Sequence, residues 1–172
     1  MLKKIISGGQ PGVEIAALDA ALKLDIPHAG WAYKRKRAKD GILPEHYSLK
    51  TIDVPSYHDR LEKNIIESDG TVILTYGQLI IGSKIIKDLT KKHNKSCLYV
   101  DLTECSLNHA ISAIRRWIIN NEIEAVYFTG SKVVGESRVY EETIQMIEGI
   151  LRVEREQERL PGFQQKGDDT SP

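Results

Sequence analysis

The chain has 172 residues, 41% hydrophobic, 28% charged and only 6% aromatic. That is the length of one domain, which buries roughly 70% of its unfolded-chain surface and needs no disulfide or metal staple. Its 24 basic residues balance 24 acidic ones, so the basic excess that gives nucleic-acid binders most of their affinity is missing, and nucleic acid is disfavoured as a partner. Cys97 and Cys105 stand in no C-x-x-C or Cys/His pattern, and no histidine stands in a metal-ligand spacing. Cys97, inside an apolar run, reads as a buried strand residue. The opening MLKKIISGGQ is too short in apolar residues for a signal peptide. No run approaches the roughly 18 apolar residues of a membrane span. A soluble, cytoplasmic protein with no membrane partner is expected.

In chain order, residues 3–7 (KKIIS) read as a strand, followed at once by the glycine-rich stretch Gly8-Gly9-Gln10-Pro11-Gly12. Residues 13–24 form an alanine-rich helix whose small side chains allow close packing on a sheet. A short strand over 28–32 leads into a basic, irregular segment to 48, and 49–54 is a further strand candidate. Tyr57, Leu61 and Ile65 lie four apart on one face of a helix over 57–67. Residues 71–75 (TVILT) are continuously apolar, the pattern of a parallel strand covered on both faces. A helix over 83–93 and a strand over 96–101 follow. Ser106 is the expected N-cap of a helix in which Leu107, Ala110, Ile111, Ile114, Trp117 and Ile118 share one face. A strand over 125–129 and a helix from 137 to about 155 complete the pattern.

This alternation predicts an α/β fold: a Rossmann-like, open, mostly parallel sheet with helices on both faces. Residues 1–160 form the single ligand-binding domain, and 161–172, polar and without periodicity, form a disordered tail.

Ligands of such sheets bind beyond the carboxyl ends of the strands. Three of those ends carry glycines. The stretch from Ser7 to Gly12 is spaced G-G-x-x-G, not G-x-G-x-x-G, and reads either as a phosphate-binding loop at a helix start or as a tight turn. Gly77 to Lys84 reverses the Lys-Ser order of a P-loop and has a Leu-Ile-Ile interior, which excludes a P-loop nucleoside triphosphatase. Gly82 and Ser83 remain either anion donors or an ordinary helix cap. Thr129-Gly130-Ser131-Lys132 offers hydroxyls and a cation at the last strand end. The basic run Lys34-Arg35-Lys36-Arg37, with Lys39 beside Asp40, is either a solvated loop or an attractor of anions. Arg60 and Asn64 share a helix face, where a surface arginine is the plain reading. No G-x-S-x-G elbow is present.

Taken together, Ser7-Gly8-Gly9-Gln10-x-Gly12-Val13, the Ala16–Leu22 segment (AALDAAL), Gly30-Trp31, Arg37-Ala38-x-Asp40-Gly41, Pro44-x-x-Tyr47 and Arg60-x-x-x-Asn64-x-x-x-Ser68-Asp69-Gly70-Thr71 resemble the molybdenum-cofactor carrier family. This Rossmann-like family is related to the lysine-decarboxylase-like phosphoribohydrolases. The resemblance implies a homo-oligomer that binds and protects the molybdenum cofactor (molybdopterin, a pterin with a phosphate) without converting it. It implies that Gly8, Gly9, Gln10 and Gly12 contact phosphate. It also places Arg37, Asp40, Arg60 and Asn64 at the pocket border, with Gly82, Ser83, Gly130 and Lys132 at the neighbouring loops. The chain departs from the family pattern at Pro11, Ile15, Ile81-Gly82-Ser83 and Gly130-Ser131-Lys132, where a lysine replaces an arginine and so lacks its bidentate fork. Ile86 falls where the related hydrolases carry a glutamate. A binding protein for a small phosphate-bearing ligand is therefore expected ahead of a phosphoribohydrolase or a nucleotide-sensing module, with no catalytic residue assigned.

Overall fold

A computed structural model describes residues 1–33, 44–53, 56–77, 81–132 and 138–158, with backbone only at 81, 83 and 153–158. The elements are β1 (Lys4–Ile6), α1 (Val13–Lys23), β2 (His28–Ala29), β3 (Trp31–Tyr33), β4 (Lys50–Ile52), α2 (Tyr57–Glu67), β5 (Gly70–Thr75), α3 (Ile81–Lys92), β6 (Ser96–Asp101), α4 (Leu107–Asn120), β7 (Ala125–Gly130) and α5 (Val139–Glu158). The stretch 161–172 and the basic run with Arg37 and Asp40 lie outside the described residues.

Five parallel strands pair in the order β2-β1-β7-β5-β6. Side chains alternate across this sheet, as the two-residue strand period requires. Ile5, Val72, Leu74, Val126 and Phe128 pack into one apolar cluster with residues of α1, α4 and α5. Ile6, Ile73 and Tyr127 point the other way, into a cluster with Leu61 and Ile65 of α2 and Ile86 and Leu89 of α3. The sheet is therefore covered on both faces, the α/β Rossmann-like architecture expected. β5 is buried at all six residues, in keeping with its apolar run. β6 is an edge strand, so Cys97 is only half-buried rather than buried as expected.

Counting β7 as the first strand, β1 as the second, β2 as the third and β5 and β6 as the last two gives the order 3-2-1-4-5 of a doubly wound sheet. The chain thus runs through that topology from a different starting point, and the central strand comes last in sequence. The crevice expected in such a sheet opens where neighbouring strands send their helices to opposite faces. Here that is between β7, whose following α5 lies on the α1/α4 side, and β5, whose following α3 packs on α2.

One strand departs from expectation. The run 28–32 is split at Gly30: β2 pairs with β1, whereas β3 leaves that sheet and pairs with β4 in a separate two-stranded ribbon. Gly30 has φ +145°, and a Cβ there would lie 1.9 Å from the Ser7 carbonyl oxygen. Ser106 caps α4 as expected, its Oγ accepting from His109 N–H, and Ser56 caps α2 in the same way, its Oγ accepting from Asp59 N–H. Among the described residues no helix is long and apolar enough to cross a membrane.

Candidate functional site

At the carboxyl end of β1, the loop from Ser7 to Gly12 turns into α1. Gly9 (φ +68°) and Gly12 (φ +95°) supply left-handed backbone that other residues rarely adopt. The loop's donors are largely engaged within the protein. Gly9 N–H donates to Ser7 Oγ, Gln10 N–H to Glu14 Oε2, Val13 N–H to the Ser131 carbonyl and Ile15 N–H to the Gln10 carbonyl.

Beneath the loop lies a charge pair that the sequence reading did not anticipate. Glu14, the second residue of α1, is 4% exposed and Arg60 is 1% exposed. Arg60 Nη1 donates to Glu14 Oε2 at 2.8 Å, while Tyr127 OH and Thr129 Oγ1 each donate to Oε1 at 2.8 Å. With Gln10 N–H added, the carboxylate accepts four hydrogen bonds, two on each oxygen. Burial pushes the Glu14 carboxyl up, but the Arg60 charge and these hydrogen bonds outweigh it and hold it below the usual range. Burial pulls Arg60 down, and the Glu14 charge beside it more than restores it. Desolvation and the Glu14 charge push the Tyr127 phenol up.

Arg60 therefore is neither a surface arginine nor a residue on an open pocket wall. Its guanidinium packs against Gly8, where a Cβ would lie 1.6 Å from Nη1, and against the rings of Tyr33 at 5.3 Å and Tyr57 at 5.7 Å. Its Nε has no hydrogen-bond partner among the described residues. Asn64, fully buried, is likewise committed. Its Oδ1 accepts from Trp31 N–H at 2.8 Å and its Nδ2 donates to the Trp31 carbonyl at 3.1 Å, so one amide side chain does for β3 what a neighbouring strand would do. The shared helix face was read correctly; what it faces is the protein interior.

The β7 end meets the β5 end across the crevice. A Cβ on Gly130 (φ +148°) would lie 1.8 Å from the Leu74 carbonyl oxygen, and Ser131 N–H donates to that same oxygen. Tyr76 N–H donates to Ser131 Oγ, and the Tyr76 hydroxyl bonds the Glu142 carboxylate of α5, which also pairs with Arg138. On the β5 side Thr75 Oγ1 donates to Tyr99 OH, Tyr99 OH to the Gly77 carbonyl, and Gly77 N–H to Asp101 Oδ1. Lys132, exposed at the mouth, has its Nζ over the Tyr57 ring at 5.7 Å and forms no ion pair among the described residues. Gly82 lies in the first turn of α3, half-buried, and the Ser83 side chain is outside the described residues. Ile86, two per cent exposed, points into the apolar cluster between α2, α3 and the sheet.

A second constellation went unread. Asp19 on α1 accepts from Tyr47 OH on Oδ1 and Tyr140 OH on Oδ2, both at 2.5 Å. It ties the short 3-10 turn Glu45–Tyr47 and the start of α5 to α1. The available signal was a single carboxylate set among alanines. The same signal, an acid on the alanine-rich side of α1, marked Glu14. Among the described residues His58, Asp59 and Glu62 bring ligand atoms within metal-binding distance of one another. They lie on the surface, and Glu62 is already bonded to Lys92 and His93.

Residues 5–151 match the model of a family described as the circularly permutated YpsA SLOG family. The chain is also similar to a crystal structure of a protein from Syntrophus aciditrophicus SB named as a candidate molybdenum carrier protein. That similarity has a TM-score of 0.81 and 36% sequence identity, and covers 87% of this chain and 95% of the other. No curated protein matches the chain.

Proposed function

Because the chain belongs to the circularly permutated YpsA SLOG family, we propose that it is a binding or carrier protein for a small phosphate-bearing ligand, with the molybdenum cofactor as its cargo. The observation that carries this reading is the crevice between the ends of β7 and β5. There Gly130 lets two backbones meet, and Lys132 presents a cation with no carboxylate partner among the described residues. The loops carrying Gly8 to Gly12 and Gly82-Ser83, together with Arg37 and Asp40, complete the proposed border.

Binding is favoured over hydrolysis by the interior position of Ile86. Where the related hydrolases carry a glutamate, this chain has a branched aliphatic side chain sealed in the core, and general acid–base help of roughly 10²–10⁴ in rate is forgone there. The protein acts as a homo-oligomer in this proposal.

Native mass spectrometry of gently purified protein tests both parts. A co-purifying pterin phosphate on a dimer or larger assembly is expected. A ligand-free 19.4 kDa monomer, unaltered by added cofactor, would end the carrier reading. Chromatography of adenosine monophosphate incubated with the protein should show no free adenine.

A further inference from the structure

Glycines at the end of β1 invite the reading that a ligand phosphate sits on the start of α1, because a helix N-terminus attracts anions. That seat already holds one. The Glu14 carboxylate lies within the first turn of α1, takes the Gln10 N–H, and is held there by Arg60, Tyr127 and Thr129. The Gly9 N–H is turned inward to Ser7 Oγ and the Val13 N–H to the Ser131 carbonyl. Gly8 has its own reason to be glycine, since Arg60 Nη1 fills the space its side chain would need. The Arg60 charge is in turn neutralised by Glu14, so the buried pair offers a ligand no net charge.

Resting on the binding reading above, we propose that Glu14 is a built-in anion occupying the α1 seat, and that the phosphate of the ligand is held across the crevice by Lys132 above Tyr57. Lys132 and Tyr57 come from different elements, the β7 end and the first residue of α2, and meet at the crevice mouth. The half-buried Tyr57 ring supports the ammonium from one side while its other donors remain available. Glu14 and Arg60 are then positioning residues, which shape the loop without touching the ligand.

Calorimetry of the full chain with adenosine monophosphate and with inorganic phosphate as probes separates the possibilities. Lys132→Met, a surface change, should weaken both probes by about tenfold or more, the loss of one charge-assisted contact. Lys91→Met, an exposed change in the last turn of α3 and outside the crevice, should leave both affinities within about twofold. Unaffected binding in Lys132→Met, or an equal loss in Lys91→Met, with both variants folded by circular dichroism, would overturn this inference while leaving the binding reading intact. If the wild-type chain binds neither probe, this inference falls, while the carrier reading is decided by the co-purification and added-cofactor test above.

Discussion

Arg60 Nη1 and Glu14 Oε2 meet at 2.8 Å across 46 residues of chain, with both side chains withdrawn from solvent. An ion pair so placed gains little over an apolar pair of the same shape, because desolvation consumes most of the attraction; breaking it is what costs. Its position explains its presence. It fixes α2 beneath the loop between β1 and α1, and it lets Tyr127 and Thr129 of β7 find acceptors at the end of a strand otherwise covered by hydrocarbon.

Removing the Glu14 charge should therefore be expensive. Glu14→Gln leaves a buried guanidinium uncompensated, and a loss of about 3–5 kcal/mol is expected in urea unfolding. Because the native carboxyl titrates below its usual value of 4.5, its contribution is fully present above that pH and disappears as pH falls through the native value. Wild type should thus lose stability on acidification below about pH 4.5, with a shallower loss in the glutamine variant. Equal slopes in the two proteins would contradict the pairing.

Two glycines should respond very differently to alanine. At Gly8 the added Cβ would lie 1.6 Å from Arg60 Nη1 and 2.8 Å from Glu14 Oε2, within a network that has nowhere to go. A loss of about 3 kcal/mol, or about 6–12 °C in Tm, is expected. At Gly149, inside α5, the Cβ would press at 2.5 Å on Ile111 Cδ1 and at 3.2 Å on its Cγ1, atoms of one side chain. Helix propensity favours alanine there by about 1 kcal/mol, so Gly149→Ala should stay within about 1 kcal/mol of wild type. Calorimetric melting of both variants decides the matter.

Asn64→Ala should unpin the β3 ribbon. It removes a donor and an acceptor from the Trp31 backbone and leaves buried peptide groups unmatched, at a cost of about 2–4 kcal/mol. Hydrogen exchange offers the local readout: the Trp31 amide should lose protection while amides of β5 keep theirs. Retained protection at Trp31 would show that the β3–β4 pairing holds without the clamp.

The tyrosines should titrate in two groups. Burial, then hydrogen bonding to Asp19, pushes Tyr140 up to about 12 and Tyr47 higher still. A raised phenol contributes stability that is complete below its unfolded value near 10 and is lost as pH climbs through the native one. Absorbance titration should show a late-ionising set in wild type. Asp19→Asn should bring the Tyr47 and Tyr140 ionisations down, leaving only the rise due to burial, and should lower stability near neutral pH. An unchanged titration curve would refute the bridge.

Much of the fold was legible because it depends on local chemistry. The continuous apolar run of β5, the heptad-like face of α4 with its Ser106 cap, and the alanine face of α1 each bury the residues their pattern predicts. The strand order was not legible, since the last strand enters the centre of the sheet and nothing along the chain marks which edge is left open for it.

The site divides the same way. By itself the sequence determined that glycines and polar residues gather at the strand ends, because an alternating β/α chain must place its loops there. Only the tertiary structure decided what those residues face. Glycine permits close approach of any group, and at Gly8, Gly30 and Gly130 the group that approaches is the protein's own: the Arg60 guanidinium, the Ser7 carbonyl and the Leu74 carbonyl. Arg60 and Asn64 were placed on one helix face by spacing alone, but spacing carries no record of Glu14 or Trp31 arriving from 46 and 33 residues away. A buried polar residue takes its meaning from its partner, and the partner is brought to it by the fold.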